Sequence, residues 1–508
     1  MIKPKRLSPS IFRPTADLKP LRLPQWSALK TAVVLLVCAA AVTPSYAQTL
    51  TTLLTFGGTD GSTPISGLVQ GMDGNYYGTA YRGGSGNVGT AFKITPQGLL
   101  TTLYNFCSLQ GCTDGEYPNA ALVLSTDGNF YGTTYFGGAS APPYGTVFKL
   151  TAQGTLTTLY NFCSQSSCTD GSFPSAGLVQ GADGNFYGTT YEGGANNFGS
   201  LFRITPKGQL TTLYSFCSQT GCADGEYPSY VGLVLGTDGN FYGITNLGGA
   251  NGNYGTVFKV TSAGKLTTLY SFCSQSNCAD GIYPEGILQA TNGSFYGTAT
   301  AGGACPYTTQ GCGTVFKITS AGKLTTLYTF CPQNNCPDGV NPIGLVQASD
   351  GNLYGTTSQG GISTNGTANG GSIFRISPTG AGTSLYGFCS QTNCADGTLP
   401  RDLVQGTSGS FLGTTESSPG TIFKLDAGLH PFVQTLRNFG KAGSSVIILG
   451  NSLTGSTSLS FNGTTAAFKV ISATEIMSSV PAGATTGKIK VVTTHGTLVS
   501  SGVFHVTP

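Results

Sequence analysis

The tetrapeptide Thr-Thr-Leu-Tyr recurs from Thr101, Thr157, Thr211, Thr267 and Thr325, with variants starting at Thr51 and Thr383. The spacings are 50, 56, 54, 56, 58 and 58 residues. Self-similarity at such a period means that one unit cannot bury its apolar face alone and must stack on copies of itself. Each unit reads as four short strands, such as Gly177-Leu178-Val179-Gln180, Asn185-Phe186-Tyr187-Gly188-Thr189, Leu201-Phe202-Arg203-Ile204 and Leu210-Thr211-Thr212-Leu213-Tyr214. The first turn is Asp-Gly at Asp73, Asp127, Asp183, Asp238 and Asp350, Asn292-Gly293 in one copy and Ser408-Gly409 in the last. Such pairs supply the positive φ of a tight hairpin. The second turn carries Gly-Gly in most copies, and no stretch shows a helical period. A repeated four-stranded unit of about 40 to 50 residues is the sequence form of a propeller blade.

The expected fold is therefore all-β: a seven-bladed β-propeller over residues 48–426, a linker at 427–430 and a small immunoglobulin-like sandwich over 431–508. Leu50-Thr51-Thr52-Leu53-Leu54 is a fourth-strand sequence with no blade before it, whereas the seventh unit stops at Thr421-Ile422-Phe423-Lys424, a third strand. Pairing the two closes the ring and hides two open edges. An open solenoid would not need this complementarity.

Residues 1–47 differ from the rest. Lys3, Lys5, Arg6, Arg13, Lys19, Arg22 and Lys30 precede an apolar run from Ala32 to Val42, and Ser45-Tyr46-Ala47 places small residues where a signal peptidase reads. Cleavage is expected after Ala47, with an uncleaved anchor as the alternative; Val37 before Cys38 disfavours lipidation. The leader holds seven of the 24 Lys and Arg residues and one of the 21 acids, leaving 17 and 20, net −3. That balance argues against nucleic-acid partners, and nothing after Val42 is apolar enough to span a membrane.

Fourteen cysteines follow the leader in close pairs: Cys107 and Cys112, Cys163 and Cys168, Cys217 and Cys222, Cys273 and Cys278, Cys331 and Cys336, Cys389 and Cys394, and Cys305 and Cys312. Six pairs occupy the loop between one unit's outer strand and the next unit's inner strand, where a disulfide is expected to pin each junction. A zinc site would need further ligands, yet His430, His495 and His505 all lie beyond the repeats. No metal or cofactor is expected.

The motif Asp-Gly-Asn-Phe-Tyr-Gly-Thr followed by Gly-Gly and Gly-Thr-Val-Phe-Lys, as at Asp127 to Thr133 and Gly145 to Lys149, resembles the GloVer tandem-repeat family of exported bacterial proteins. The resemblance implies repeat architecture and export and carries no catalytic residues. Ser445-Val446-Ile447-Ile448-Leu449-Gly450, Leu459-Ser460-Phe461-Asn462-Gly463 and Gly487-Lys488-Ile489-Lys490-Val491 are similar to the IPT/TIG immunoglobulin-like module. Alternating strands between turn signals support a small sandwich independently of that likeness.

Three sets of residues are candidates for function. Asp-Gly-x-x-Pro precedes each inner strand, giving Asp60, Asp114, Asp170, Asp224, Asp280, Asp338 and Asp396, either a ring of carboxylates or seven local turn closures. Tyr117, Phe173, Tyr227 and Tyr283 in the same loops are placed to stack on sugar rings or to pack the loops. Glu285, Arg401 and Asp402 break the repeat where other copies carry small or apolar residues, and catalysis on a pseudo-symmetric ring needs such departures. The leading expectation is a non-enzymatic exported binding or scaffold protein whose repeated loops meet extracellular glycan, envelope polymer or another surface protein. A propeller hydrolase or lactonase-like enzyme and a purely structural spacer are the alternatives. Ligand and oligomeric state stay open.

Overall fold

A computed structural model describes residues 48–305, 311–362 and 369–507. The expected leader, 1–47, lies outside the described residues. The repeats fold into successive antiparallel sheets, giving an all-β, propeller-like body. The first sheet orders Val69–Gln70, Tyr76–Ala80, Thr90–Ile94 and Leu100–Asn105, and the same order recurs in the other repeats, with an added short strand, Glu226–Pro228, in the fourth. In the last, Pro400–Gln405, Phe411–Thr415 and Thr421–Asp426 are joined by Thr49–Thr55 from the N-terminal end, with Thr49 opposite Asp426 and Thr55 opposite Thr421.

Local composition explains the layering. The second strand, Phe-Tyr-Gly-Thr-Thr in two copies, is buried along its whole length. Its central glycine allows that: a Cβ on Gly132 would stand 2.6 Å from the Phe148 ring and 2.8 Å from Leu122. The ring from the third strand and the leucine just before the first strand meet over that gap. Between sheets, Tyr77 stacks on Phe130 at 4.1 Å, and Tyr131–Phe186, Tyr187–Phe241 and Tyr242–Phe295 repeat the contact at 4.0, 4.0 and 3.9 Å. Each pair contributes about 1 kcal/mol beyond simple area burial. Hydrogen bonds also step from sheet to sheet: Thr79 Oγ1 donates to Ala120 O, Thr133 Oγ1 to Ala176 O and Thr356 Oγ1 to Arg401 O, at 3.3, 3.2 and 2.8 Å. Thr414 Oγ1 of the last sheet donates to Ser66 O of the first at 3.2 Å.

The inner strands depart from the uniform expectation. In the first three sheets they shrink to Val69–Gln70, Val123–Leu124 and Val179–Gln180, whereas in the last three they run as Ile282–Gln289, Val340–Gln347 and Pro400–Gln405. The cause is the spacing from the proline to the first core leucine or isoleucine. Pro64 to Leu68 encloses three residues, but Pro284 to Ile287, Pro342 to Leu345 and Pro400 to Leu403 enclose two. The tighter link keeps the chain extended, with a register shift just after each of those prolines.

Beyond the repeats, one sheet orders Gln434–Thr435, Ser445–Leu449, Glu475–Ser479 and Phe468–Val470, and a second orders Thr464–Thr465, Ser458–Phe461, Ile489–Thr493 and Gly496–Val499. Val446, Ile448, Leu459, Phe461, Ile476, Ile489 and Val491 form their common core. This module rests on the hairpin-turn side of the repeats. Thr474 Oγ1 donates to Met72 O at 2.6 Å, Phe432 N to Thr407 O at 3.0 Å, and Leu449 joins the buried cluster of Tyr77 and Phe130. Among the described residues no helix is long and apolar enough to cross a membrane.

Candidate functional site

The cystine loops come first, because the repeated candidates lie there. All seven cysteine pairs are disulfides. In the six repeated loops Cys107 is bonded to Cys112, Cys163 to Cys168, Cys217 to Cys222, Cys273 to Cys278, Cys331 to Cys336 and Cys389 to Cys394, with Cα separations of 4.0 to 4.2 Å. The seventh, Cys305 to Cys312, spans 5.7 Å between Cα atoms. In five loops a single 3-10 turn ends on the second half-cystine, at Cys112, Cys168, Cys222, Cys278 and Cys394; the loop that ends on Cys336 lacks this turn. The aspartate that follows is turned into its own loop. Asp170 Oδ2 accepts from Tyr160 Oη at 2.7 Å and from Ser164 N and Oγ, both at 2.9 Å, while Oδ1 accepts from Gln165 N at 3.3 Å. Asp114, Asp224 and Asp280 repeat this set. Asp396 receives Tyr386, Ser390 N and Gln391 N, Asp338 receives Tyr328 and Cys331 N, and Asp60 accepts from Gly57 N in the cystine-free first copy.

The number of hydrogen bonds received separates Asp224 from Asp338. Burial pushes the Asp224 carboxyl upward, but the donors Tyr214, Ser218 and Gln219 outweigh it and hold the group below the usual range. Asp338 has Pro332 where other loops have serine, receives fewer donors, and is left raised by its burial. The loop aromatics Tyr117, Phe173, Tyr227 and Tyr283 sit at positive φ, between 51° and 56°. Three lie against rings at the ends of second strands: Tyr117 on Tyr81 at 5.0 Å, Phe173 on Tyr135 at 5.2 Å and Tyr227 on Tyr191 at 4.9 Å.

The third set converges elsewhere. Glu285, Arg401 and Asp402 line one cavity of about 630 Å³ at the start of the inner strands, to which every repeat contributes, from Ser66 in the first to Arg401 in the last. Glu285, Ile343 and Arg401 stand at its wall where the earlier repeats present Ser66, Ala120 and Val231. Asp402 stands where the neighbouring copies have glycine, and those glycines make room for it. A Cβ on Gly344 would fall 1.9 Å from Asp402 Oδ1, and one on Gly67 would fall 3.1 Å from its Cβ. The Arg401 guanidinium pairs with Glu416 through Nη2 and Oε2, while its buried Nε has no hydrogen-bond partner among the described residues.

Tyr81, Tyr135 and Tyr230 also line the cavity, with Arg82 beside them. Arg82 lies 5.8 Å from the Tyr81 ring centre and 6.0 Å from that of Tyr117, a cation–π position. Tyr230 stacks on Tyr191 at 5.6 Å. Burial, and then the charges of Tyr191, Tyr135 and Glu285, hold the Tyr230 phenol well above its ordinary value. Burial likewise raises Glu285 to about 7, opposed by Arg401 and reinforced by Asp402. Asp402 is raised by burial against the pull of Arg401. Unlike the loop aspartates, neither Glu285 nor Asp402 receives a hydrogen bond from the described residues at its carboxylate. Both are partly buried.

Tyr81, Arg82, Tyr135, Tyr230 and Glu416 escaped the sequence reading. The signal was present at the residue that follows Gly-Thr-Thr or its variants, which runs Tyr81, Tyr135, Tyr191, Asn246, Thr300, Ser358 and Glu416. Aromatic copies give way to polar ones, and finally to an acid, around the same set of repeats whose inner strands tighten.

The Gloeobacter/Verrucomicrobia repeat model matches residues 41–180, 144–368 and 229–476, most of the chain. The chain belongs to the Gloeobacter/Verrucomicrobia repeat family. No curated protein matches it. Among solved structures, this Gloeobacter/Verrucomicrobia repeat protein is similar to a fungal alcohol oxidase of the AA5 family in complex with copper, at 11% identity and a TM-score of 0.50, over 91% of this chain and 99% of that one. It is also similar to the extracellular domain assigned to a hybrid two component system from B. thetaiotaomicron, at 12% identity and a TM-score of 0.47, over 86% of this chain. The repeat protein spans about half, 52%, of that domain. At 11% identity the likeness to the oxidase is one of fold alone.

Proposed function

We propose that the repeats form a closed seven-bladed ring, that the C-terminal module is an immunoglobulin-like sandwich of the IPT/TIG kind, and that the protein is exported and binds a neutral glycan or envelope polysaccharide in its central cavity. The Thr414–Ser66 bond between last and first sheets and the strand Thr49–Thr55 beside Thr421–Asp426 support closure. Seven disulfides suit an oxidising compartment.

One observation carries the binding reading: Tyr81, Tyr135 and Tyr230 share a cavity with carboxylates that receive no hydrogen bond from the described residues. A pyranose offers apolar C–H faces for tyrosine rings and hydroxyl donors for free carboxylate oxygens. A volume of about 630 Å³ lies in the range of small-ligand sites. Arg82 and Arg401 stand against Glu285, Asp402 and Glu416, so the lining has no strong excess of either sign and favours an uncharged ligand. Asp114, Asp170, Asp224 and Asp280, each bonded by its own loop at both oxygens, leave the cystine loops a supporting role.

The test is an array of neutral glycans and envelope polymers probed with the oxidised protein and with Tyr135→Ala. Saturable binding that the substitution weakens at least tenfold is expected. Silence across the array would favour a spacer role instead.

A further inference from the structure

The cavity holds two carboxylates in unequal surroundings, and that inequality reaches beyond binding. Glu285 comes from the fifth repeat and Asp402 from the seventh. Glu285 feels the charges of Arg401 and Asp402, and Tyr230 feels that of Glu285. Asp402 is lodged between Gly67 and Gly344 beside the Arg401 guanidinium, which Glu416 anchors in turn. Arg82 completes the charged groups of the lining. Both acids interrupt the repeat: the corresponding positions elsewhere are Ser66, Ala120, Ala176, Val231, Ile343 and Arg401 for Glu285, and Gly67, Ala121, Gly177, Gly232, Gly286 and Gly344 for Asp402.

We propose that Glu285 and Asp402 are the catalytic acid and base of a glycosidic-bond hydrolysis carried out in this cavity. The inference rests on the glycan-binding reading. In the step, the Glu285 carboxyl gives its proton to the glycosidic oxygen as the bond from that oxygen to the anomeric carbon breaks. A water molecule bonds to the anomeric carbon through its oxygen and passes a proton to Asp402. The products are two shorter saccharides. Solvent then carries the proton from Asp402 back to Glu285, so the enzyme is restored and only water is consumed. An acid that keeps its proton near neutrality beside a base that has lost its own is the pairing this chemistry needs. A Glu285 value of about 7 meets the first half of that requirement; burial raises Asp402 as well, and the second half rests on the Arg401 guanidinium beside it, the charge that opposes that rise. Tyr81, Tyr135 and Tyr230 would hold the sugar rings on either side of the linkage.

The experiment incubates the oxidised protein with cellohexaose, laminarihexaose, xylohexaose, mannohexaose and chitohexaose. Binding is read by calorimetry in the cold and cleavage by mass spectrometry after warming. At least one hexasaccharide that binds is expected to be cleaved, with a rate that falls as the pH rises above about 7. Glu285→Gln and Asp402→Asn are each expected to lower that rate on the order of 100-fold. A hexasaccharide that binds and is recovered intact would overturn the catalytic inference and leave the binding reading standing. Absence of binding to all five would overturn both. Equal cleavage by the protein and by Glu285→Gln would also overturn the assignment, since the proton would then come from elsewhere.

Discussion

The backbone N–H of Thr407 donates to Oε1 of Gln70 at 3.0 Å, across 337 residues of sequence. The same bond joins neighbouring repeats: Thr126 N reaches Gln180 at 3.3 Å, Thr237 N reaches Gln289 at 2.9 Å and Ser349 N reaches Gln405 at 2.8 Å. An interaction between neighbouring repeats is thus also made between the last sheet and the first, and the hairpin it braces, Thr407-Ser408-Gly409, accepts from Phe432 N of the C-terminal module.

Two losses are therefore expected at that junction. Gln70→Ala should cost about 1 kcal/mol, the net worth of one such hydrogen bond. Deleting Thr49–Thr55 should cost more, because it uncovers the edge of Thr421–Asp426 and invites association with other chains. Denaturant titration reads the first, and light scattering during heating reads the second. An edge-deleted protein that stays monomeric and melts unchanged would contradict the pairing.

Asp170→Ala leaves Tyr160 Oη, Ser164 and Gln165 N without their common acceptor and should destabilise the protein by about 2–3 kcal/mol, measured by urea unfolding. The pH dependence follows from Asp224, whose folded-state value lies below its unfolded one. The folded state then binds fewer protons, so this contribution is complete above a pH of about 4 and is lost as the pH falls through the folded-state value. Asp224→Asn should flatten that part of the acid-unfolding curve.

Replacing Cys217 and Cys222 together by serine opens a five-residue link and should lower stability by about 2 kcal/mol on the loop-entropy relation. Both half-cystines sit at positive φ, so the loop itself should loosen, and hydrogen exchange should rise there first. Glycan binding should persist, because the cavity is lined by other segments. Loss of binding in this variant would move the site to the cystine loops.

Much of this was legible in the chain. The Thr-Thr-Leu-Tyr period set the four-stranded unit, the Asp-Gly pairs set its first hairpin, and cysteines five residues apart set the disulfides. These are local signals, fixed by residues close in sequence. The cavity is different, because Glu285, Arg401 and Asp402 were visible only as departures from a repeat. Their convergence depends on inner-strand starts from every repeat lining one cavity and on the absence of a side chain at Gly344, neither of which has a local propensity. Tyr135 and Tyr230 were harder still: aromatic residues are so common in these repeats that two more carried no distinguishing pattern until the cavity placed them opposite carboxylates.

The module's docking gives a further test. Leu449 is 2% exposed and packs with Tyr77 and Phe130 of the repeats, so Leu449→Ala should cost about 2–4 kcal/mol. Limited proteolysis between Asp426 and Phe432 should quicken if the contact holds the module in place. A cleavage rate equal to that of the unsubstituted protein would show that the contact is dispensable.

The most direct measurement is a crystal structure of the protein soaked with the oligosaccharide that binds best on the array. Density for a sugar ring between Tyr135 and the Glu285–Asp402 side of the cavity is expected, with hydroxyls within hydrogen-bond distance of one or both carboxylates. Sugar density on the cystine loops with the cavity holding only water would contradict the account.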